Sequence, residues 1–482
     1  MSTVTCNINA VPVTVPEGTS ILDAAGAAGI HIPSLCYLKN INCVGSCRMC
    51  LVEIRGRASL STACTTPVES GMEIQTSTPE IERIRLQNLQ LICSDHRQDC
   101  SRCTRFPYCE LHTLCREYGV DDRKNMFNRK EEISDSLVHL VRDQSKCVQC
   151  RRCVSMCGEI QGIHAIQVIG QGMGTKVVSV PDAENICVNC GQCIAVCPTE
   201  ALTEKNECRR VGVALAQRKK HVIAVLTKEA MAQLGEHFGA PIDAEASAGK
   251  TVSALRRLGF RAVFSAEPFY KQFSQALYAE VLRHGQSGTL PVISTRCPSI
   301  RKYCNLHFPE LQEHISALES PLQTAAKLCS QFYAEKHGLD QNEIFVVTIS
   351  SCTADKYEQS LPEYRDTIYA ALTSHEVFLL FERACVSSFS AHQVWNELPE
   401  EDCEFLPDMA AVTRSAADAS IRTVSASGLK DVGMLFRDIK NGTDYDLLEL
   451  RACPGGCING AGRSRKSNRF QTPPQPSTKD SE

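Results

Sequence analysis

Cysteine is the residue type that dominates the chemistry open to this chain. The 482-residue sequence contains 28 cysteines, many of them in short-range sets. The start of the chain lacks the basic-then-apolar layout of a secretory leader, so a disulfide scaffold is not expected. Thiolates at this density and spacing are typical of iron–sulfur clusters or zinc sites.

One run of four cysteines occurs twice. Each copy reads Cys-x-x-Cys-x-x-Cys-x-x-x-Cys, and a proline follows the second copy, as in bacterial ferredoxins. In that arrangement the fourth cysteine of each run binds the cluster of the other run. The repeat therefore predicts two [4Fe–4S] clusters, one bound by Cys147, Cys150, Cys153 and Cys197 and the other by Cys187, Cys190, Cys193 and Cys157.

A different spacing occurs near the start of the chain. One cysteine precedes a Cys-x-x-Cys pair, and a single distant cysteine follows it, which is the plant-type way of holding a [2Fe–2S] centre. The alternative for the same residues is a zinc site. The predicted ligands are Cys36, Cys47, Cys50 and Cys64.

The next set mixes one imidazole with three thiolates: His96, Cys100, Cys103 and Cys109. Zinc accepts the same ligands, so the spacing alone leaves a Cys3His zinc site open. His112 is an alternative ligand, although a surface position or a supporting role suits it better.

A further set of four cysteines lies in the last part of the chain. From about residue 207, strands and helices alternate, which predicts a layered α/β domain with a largely parallel sheet. Ligands collect beyond the carboxyl ends of such strands. Three predicted strands end at Cys297, Cys352 and Cys453, and Cys457 follows across a Pro-Gly-Gly turn. We expect these four thiolates to hold one terminal cluster.

The remaining cysteines fall outside these patterns. Cys6 and Cys43 are expected to be small buried side chains. The sequence assigns no role to the others, which are Cys93, Cys115, Cys208, Cys304, Cys329, Cys385 and Cys403.

Bulk properties exclude several classes of function. Apolar residues make up 43% and charged residues 22% of the chain, as in ordinary globular proteins. A net charge of -4 argues against a nucleic-acid partner. Apolar runs are too short to span a membrane, so a cytoplasmic protein is expected. A Gly-x-Gly-x-x-Gly turn after a strand is missing, so any flavin or nicotinamide is expected on a partner.

Three segments of the last domain resemble the H-cluster loops of [FeFe]-hydrogenases, at residues 294–298, 350–358 and 452–460, and residues 249–260 resemble a stretch before the first loop. The first segment of the chain resembles the ferredoxin domain of complex I's large iron–sulfur subunit. The resemblance implies that His96 and its three cysteines bind a [4Fe–4S] cluster. It also implies that Cys457 bridges the terminal cluster to a diiron unit.

With this resemblance, the sequence predicts a multidomain chain of α+β and α/β type. The predicted units are a plant-type [2Fe–2S] ferredoxin domain (1–78), a small Cys3His [4Fe–4S] domain (79–118), a polar linker (119–136), a bacterial 2[4Fe–4S] ferredoxin domain (137–206), a large α/β H-cluster-type domain (207–462) and a disordered tail (463–482).

The departures from the family concern proton transfer. Arg296 stands where the family has a proton-relay cysteine, and Asp355 where it has a lysine that pairs with a cyanide ligand. The family's paired glutamates align with Ala276 and Leu277, whereas Ser316 matches a serine of the same route. The glycine-rich segment that encloses the diiron site is missing before residue 425. A hydrogen catalyst is therefore not expected, and Arg296 is predicted to pair with Asp355.

The expected function is that of an electron-transfer subunit with one [2Fe–2S] and four [4Fe–4S] clusters. Its expected partners are flavin/NAD(P)H-binding and small [2Fe–2S] subunits or a soluble ferredoxin, in a hetero-oligomeric complex. Electron bifurcation is one reaction open to such a complex. Two alternatives stay open: an active [FeFe]-hydrogenase that uses substitute proton carriers, and a sensor of hydrogen or redox state.

Overall fold

The structure is a computed structural model, and it describes residues 2–120, 133–134, 137, 139–217, 220–238, 244–384, 421–439 and 445–463. Most of the predicted linker and tail lies outside these ranges. So do Cys385, Cys403 and the region before residue 421, where the enclosing glycine-rich segment was predicted to be missing. None of the described helices is long and apolar enough to cross a membrane.

The first unit is a five-stranded sheet with one helix. Its elements are β1 (Thr3–Ile8), β2 (Val11–Pro16), α1 (Ile21–Ala27), β3 (Leu51–Ile54), β4 (Ser61–Thr62) and β5 (Glu73–Gln75), and the strand order is β2-β1-β5-β3-β4. Asn9 and Ala10 turn the β1–β2 hairpin with positive φ at both residues, which suits the right-handed twist of the strands. Ser20 caps α1 by accepting a hydrogen bond from the Asp23 N–H.

Two helices follow, α2 (Pro79–Asp95) and α3 (Glu110–Glu117). Thr78 caps the start of α2, and Pro79 occupies its first turn, where the missing N–H is not needed. The carboxyl end of α2 extends to Asp95. This extension brings Cys93 into the helix.

The third unit contains short strands and two single-turn helices. They are β6 (Ile133–Ser134), β7 (Leu140–Asp143), α4 (Arg152–Ser155), β8 (Ile166–Ile169), β9 (Lys176–Ser179), α5 (Gln192–Ala195) and β10 (Leu202–Glu204). The sequence repeat is matched by a backbone repeat. Gln149 and Arg151 in the first run, and Asn189 and Gly191 in the second, all have positive φ.

The last unit is an α/β domain with two parallel sheets instead of the expected single one. The first sheet contains β11 (His221–Leu226), β12 (Ala262–Ser265), β14 (Ile344–Ser350) and β15 (Ala370–Thr373), in the order β12-β11-β14-β15. The second contains β13 (Val292–Ile293), β16 (Thr423–Ser427) and β17 (Leu447–Arg451), in the order β13-β17-β16.

Nine helices are described around these sheets: α6 (Cys208–Ala216), α7 (Lys228–His237), α8 (Ala244–Leu258), α9 (Glu267–Ser287), α10 (Pro298–His307), α11 (Pro321–His337), α12 (Ala354–Ser360), α13 (Ser374–Arg383) and α14 (Leu429–Ile439). Apolar cores cover both faces of the first sheet, which explains its continuous Val/Ile/Leu runs. A further core joins Ile163 and Val188 of the third unit to Leu448 of the second sheet. The third and fourth units therefore share buried surface.

Candidate iron–sulfur centres

The structure brings the four cysteines of the first set together in one buried place. The side chain of Cys36 is hydrogen-bonded with those of Cys47 and Cys64, and Cys50 contacts Cys64. The loop after α1 positions three of these residues, and Cys64 follows the short strand β4.

Two further cysteines of this unit behave differently from each other. Cys6 is buried, as predicted. Cys43 is classed as exposed, so the prediction of a buried side chain is wrong for this residue. Its thiol donates a hydrogen bond to the Cys64 carbonyl, 2.6 Å away, because the ligand loop turns Cys43 back over that strand end.

The mixed His/Cys set lies against the loop that follows Cys197. The Nδ1 atom of His96 is 3.0 Å from the Lys146 carbonyl, which leaves Nε2 as the nitrogen free for a metal. Burial lowers the pKa of His96 to about 4, so the ring is neutral, as ligation requires. The Cys103 thiol donates to Glu200, and the Cys109 thiol faces the Pro198 carbonyl at 3.8 Å.

His112, the alternative ligand, packs elsewhere. Its ring lies edge-on to Phe106, with 5.2 Å between the ring centres.

The eight cysteines of the ferredoxin repeat group as two sets of neighbours. The thiols of Cys147, Cys150 and Cys153 each interact electrostatically with Cys197. In the second set, Cys157 interacts with Cys187, Cys190 and Cys193. In both sets the fourth cysteine of one run lies with the first three of the other.

The terminal set lies where the two sheets of the last domain meet. Cys297 follows β13 and Cys453 follows β17 in one sheet, whereas Cys352 follows β14 in the other. Burial raises the pKa of the Cys453 thiol well above its usual value, and the neighbouring thiolates of Cys457 and Cys297 raise it further. Three strand ends from two sheets thus deliver four thiols to one buried site.

Glycines allow the third loop to close over this site. Gly455 and Gly456 have φ of 73° and 91°, values that favour glycine. A Cβ atom on Gly460 would lie 2.2 Å from the Ser351 carbonyl oxygen, so the third loop presses directly on the second. The Asn459 amide holds the turn by donating to the Pro454 carbonyl at 3.0 Å.

The chemistry of these donor sets suits iron–sulfur clusters. Burial raises the pKa of thiols such as Cys150, Cys190 and Cys352 well above the usual value, so the thiolate form needs a nearby positive charge. Cluster iron supplies that charge and takes thiolate ligands. Among the described residues, groups of three or more His, Cys, Asp or Glu side chains arranged as a ready-made site for a single metal ion are not found.

Arg296 and Asp355 do not form the predicted ion pair. The Arg296 guanidinium lies over the ring of Tyr270, 4.6 Å from its centre. The Asp355 carboxylate instead accepts a hydrogen bond of 2.5 Å from the Ser350 hydroxyl, and burial raises its pKa to about 6. The prediction is wrong, because Arg296 packs on an aromatic ring and Asp355 is hydrogen-bonded to a neighbouring hydroxyl.

Lys356, the neighbour of Asp355, points into a separate buried cluster. Its ammonium group donates to the Ala371 carbonyl at 2.6 Å and pairs with Glu376 at 2.8 Å. These contacts occupy its ammonium group, so Lys356 does not replace the family lysine.

Sequence reasoning missed a buried carboxylate near the first loop. Glu280 is 3% exposed, accepts a hydrogen bond from the Ser316 hydroxyl, and accepts another from the Ala317 N–H at 2.9 Å. The sequence carries a sign of this residue, because a charged Glu280 stands on the apolar face of α9 that Phe273, Leu277 and Val281 form. Ala276 and Leu277 stand where the family has its paired glutamates. A carboxylate–serine pair is nevertheless present, and Glu280 supplies its carboxylate.

Direct hydrogen bonds connect the second ferredoxin set to the terminal set. The amide of Gln192, next to Cys193, donates to the Asn459 carbonyl at 3.2 Å. The Gln161 amide donates to the Ala452 carbonyl at 3.0 Å, one residue before Cys453.

A second junction connects the first set to the first ferredoxin set. The Asn42 amide donates to the carbonyls of Cys36 and Cys150, at 2.7 and 3.1 Å. The Arg152 guanidinium donates hydrogen bonds to the Cys36 and Tyr37 carbonyls. It also forms a bidentate ion pair with the Glu110 carboxylate, with both hydrogen bonds at 2.8 Å. Three cluster-type units therefore meet at Arg152.

Glu358, on α12 beyond the terminal set, should give the protein a distinct pH response. The carboxylate accepts hydrogen bonds from Ser320 and Gln323, and burial raises its pKa from 4.5 to about 7. The folded state then binds the proton more tightly than the unfolded state, so stability falls as pH rises through this window. We expect the wild type to lose about 2–3 kcal/mol relative to Glu358→Gln between pH 5 and pH 8.

Anaerobic denaturant unfolding at several pH values measures this difference. Glu343→Gln, at an exposed position, is the matched control and should follow the wild type. Parallel stability curves for the wild type and Glu358→Gln would contradict the prediction.

The fold and the grouped thiols define an iron–sulfur oxidoreductase with 2Fe–2S and 4Fe–4S domains. Four family profiles match the chain: a 2Fe–2S cluster binding domain (1–79), the iron–sulfur binding region of NADH-ubiquinone oxidoreductase-G (85–124), a 4Fe–4S dicluster domain (146–201) and the C-terminal domain of the iron-only hydrogenase large subunit (220–410 and 388–461). The chain belongs to the iron-only hydrogenase large-subunit family, as its loops predicted.

Two relatives match nearly the whole chain. The NADP-reducing hydrogenase subunit HndD of Solidesulfovibrio fructosivorans is 30% identical, over 96% of this chain and 89% of the relative. Iron hydrogenase 1 of Clostridium pasteurianum is 29% identical, over 95% and 88%. A solved [FeFe]-hydrogenase of Chlamydomonas reinhardtii shares 18% identity over 55% of this chain and 86% of that chain, with a TM-score of 0.43.

Proposed function

We propose that this chain is an electron-transfer subunit that carries one [2Fe–2S] and four [4Fe–4S] clusters and does not catalyse hydrogen chemistry. The proposed ligands are the five sets described above, with His96, Cys100, Cys103 and Cys109 binding a [4Fe–4S] cluster. The two junctions support a path from the first ferredoxin set through the second to the terminal set.

The placement of Arg296 is the observation that most strongly supports the absence of hydrogen catalysis. Splitting or forming hydrogen needs a group beside the metal that can take and return a proton. A guanidinium stays protonated, and here it is held over Tyr270 next to the ligand Cys297. Asp355 places a carboxylate where the family's diiron cyanide needs a cation. These residues do not fit a diiron unit, so Cys457 serves as an ordinary fourth ligand.

A second candidate is an active hydrogenase with substitute proton carriers. The pair formed by Glu280 and Ser316 favours it, because a buried carboxylate with a hydroxyl partner is suited to relaying protons. The pair does not replace a relay group at position 296, so we rank this function second.

The partners proposed for this chain are flavin/NAD(P)H-binding and small [2Fe–2S] subunits or a soluble ferredoxin, in the cytoplasm. One relative is named as a subunit of an NADP-reducing hydrogenase, which supports a hetero-oligomer. Electron bifurcation by that complex is part of the proposal. A surface cleft of about 470 Å³ is lined by both Cys47 and Cys147. A carrier docked there would approach the first set and the first ferredoxin set together.

Infrared spectroscopy tests the proposed function directly. Protein matured anaerobically with the hydrogenase assembly machinery should show no carbonyl or cyanide bands, and should hold about 18 iron atoms per chain. If the His96 set binds zinc, the count becomes about 14 iron atoms and one zinc. The double variant Arg296→Cys/Asp355→Lys should also remain inactive. Carbonyl bands, or hydrogen evolution from a reduced dye, would establish the second candidate.

A further inference from the structure

Two cysteines outside the proposed ligand sets face each other inside the second unit. The sulfur atoms of Cys93, at the end of α2, and Cys115, in α3, are 3.2 Å apart. Their residues are only 1% and 7% exposed. They pack in the same core as Leu89, Leu111 and Leu114, so neighbouring side chains hold the two thiols in place.

The pair also encloses a functional segment. All four members of the mixed set, from His96 to Cys109, lie between Cys93 and Cys115 in sequence. A covalent bond between the two thiols would close the loop that carries these ligands. Such closure restricts the loop most when its metal centre is absent.

Two other buried cysteines outside the proposed ligand sets show no such pairing. Cys304 and Cys329 are both fully buried, and burial raises the pKa of each thiol to about 12. Among the described residues, no hydrogen bond joins either thiol to another cysteine, and neither thiol has a cysteine as an electrostatic neighbour. Burial alone thus does not produce a paired arrangement in this protein.

We propose that Cys93 and Cys115 form a reversible dithiol/disulfide site that staples the ligand-bearing loop under oxidative stress. The oxidant is a peroxide, which is small and uncharged enough to enter the core. One thiol is oxidised to a sulfenic acid as hydrogen peroxide is reduced to water. The second thiol then displaces the hydroxyl as another water, and two thiols plus one peroxide give a disulfide plus two waters.

The step needs little movement. A disulfide has a sulfur–sulfur bond of about 2.0 Å, so the two atoms must approach by only ~1.2 Å. The disulfide is restored by any dithiol reductant through exchange, which makes the modification reversible. The inference goes beyond the proposed electron-transfer function, since it concerns residues that bind no cluster.

Differential alkylation of the holoprotein tests the proposal. Anaerobically purified protein is treated with a small excess of hydrogen peroxide, alkylated, digested and analysed by mass spectrometry. The peptides of Cys93 and Cys115 should appear linked, and their alkylated forms should fall about ten-fold and return after dithiothreitol treatment. The control thiol Cys329 should stay alkylatable.

Variants sharpen the result. Cys115→Ala should abolish the linked peptide, whereas Cys329→Ala should leave it unchanged. The mapping of wild-type protein decides the matter even if Cys115→Ala assembles poorly. The proposal is overturned if both thiols remain alkylatable after peroxide, if either advances to an unlinked sulfinic acid, or if the disulfide joins cluster ligands such as Cys100 and Cys103 instead.

Discussion

Replacing Gly191 by alanine is expected to separate the second ferredoxin set from the terminal set and to destabilise the junction by about 3–5 kcal/mol. The residue has a φ of +67°, which disfavours any side chain. Its new Cβ atom would lie 2.0 Å from the Thr353 hydroxyl and 2.7 Å from the Ala461 Cβ atom. Thr353 follows the proposed ligand Cys352, and Ala461 lies four residues after the proposed ligand Cys457, so the terminal loops must shift.

Anaerobic unfolding in denaturant, followed by cluster absorbance, measures this loss. Electron transfer to the terminal cluster should slow in the same variant. The matched control is Gly212→Ala in α6, where a Cβ atom meets nothing within 4 Å. That variant should be unchanged, or stabilised by up to about 1 kcal/mol.

A second variant tests the cause of the effect. Adding Thr353→Ala to Gly191→Ala removes the shortest contact and should restore part of the stability, but the contact with Ala461 remains. If Gly191→Ala behaves like Gly212→Ala, the two units do not pack at this loop.

Replacing Arg152 by alanine is expected to have a comparable effect at the other junction, about 3–5 kcal/mol. The side chain is only 5% exposed and pairs with Glu110 through both oxygens. Its removal leaves the Glu110 carboxylate without its cation and the Cys36 and Tyr37 carbonyls without this donor. Unpaired polar groups in a dry junction are costly.

The same unfolding measurement applies, together with the yield of the first [2Fe–2S] centre by electron paramagnetic resonance. Arg152→Lys keeps the charge but not the bidentate geometry, so its free energy of unfolding should lie between those of the wild type and Arg152→Ala. Arg55→Ala is the control, because Arg55 forms an exposed pair with Glu73 and should contribute little. Equal stability for Arg152→Ala and Arg55→Ala would show that Arg152 does not hold the units together.

These two junctions give the proposed electron path a physical basis. Each one places a hydrogen bond on a backbone carbonyl at or beside a proposed ligand, namely Cys36, Cys150 and Cys453. A rigid connection keeps the separation between neighbouring clusters constant, which an electron-transfer subunit requires.

The sequence determined the features that depend on local spacing. Ligand motifs need thiols at fixed short intervals, so the ferredoxin repeat and the family are readable directly from the order of residues. The alternation of strands and helices in the last domain is readable as well, because β11 and β14 are buried runs rich in Val and Ile. β15 and β16 are less readable, since short strands carry weak patterns and depend on the neighbouring strands with which they pair.

Only the tertiary structure decided where side chains from distant segments meet. The last domain has two sheets where a single sheet was expected. Cys352 follows a strand of one sheet and lies beside Cys297 and Cys453, which follow strands of the other. In the tertiary structure Arg296 packs on Tyr270 and does not form the predicted ion pair with Asp355. Glu280 is buried beside Ser316, although the alignment with the family glutamates indicated Ala276 and Leu277. Such contacts depend on the direction of each side chain within a packed core, and residue type and spacing do not carry that information.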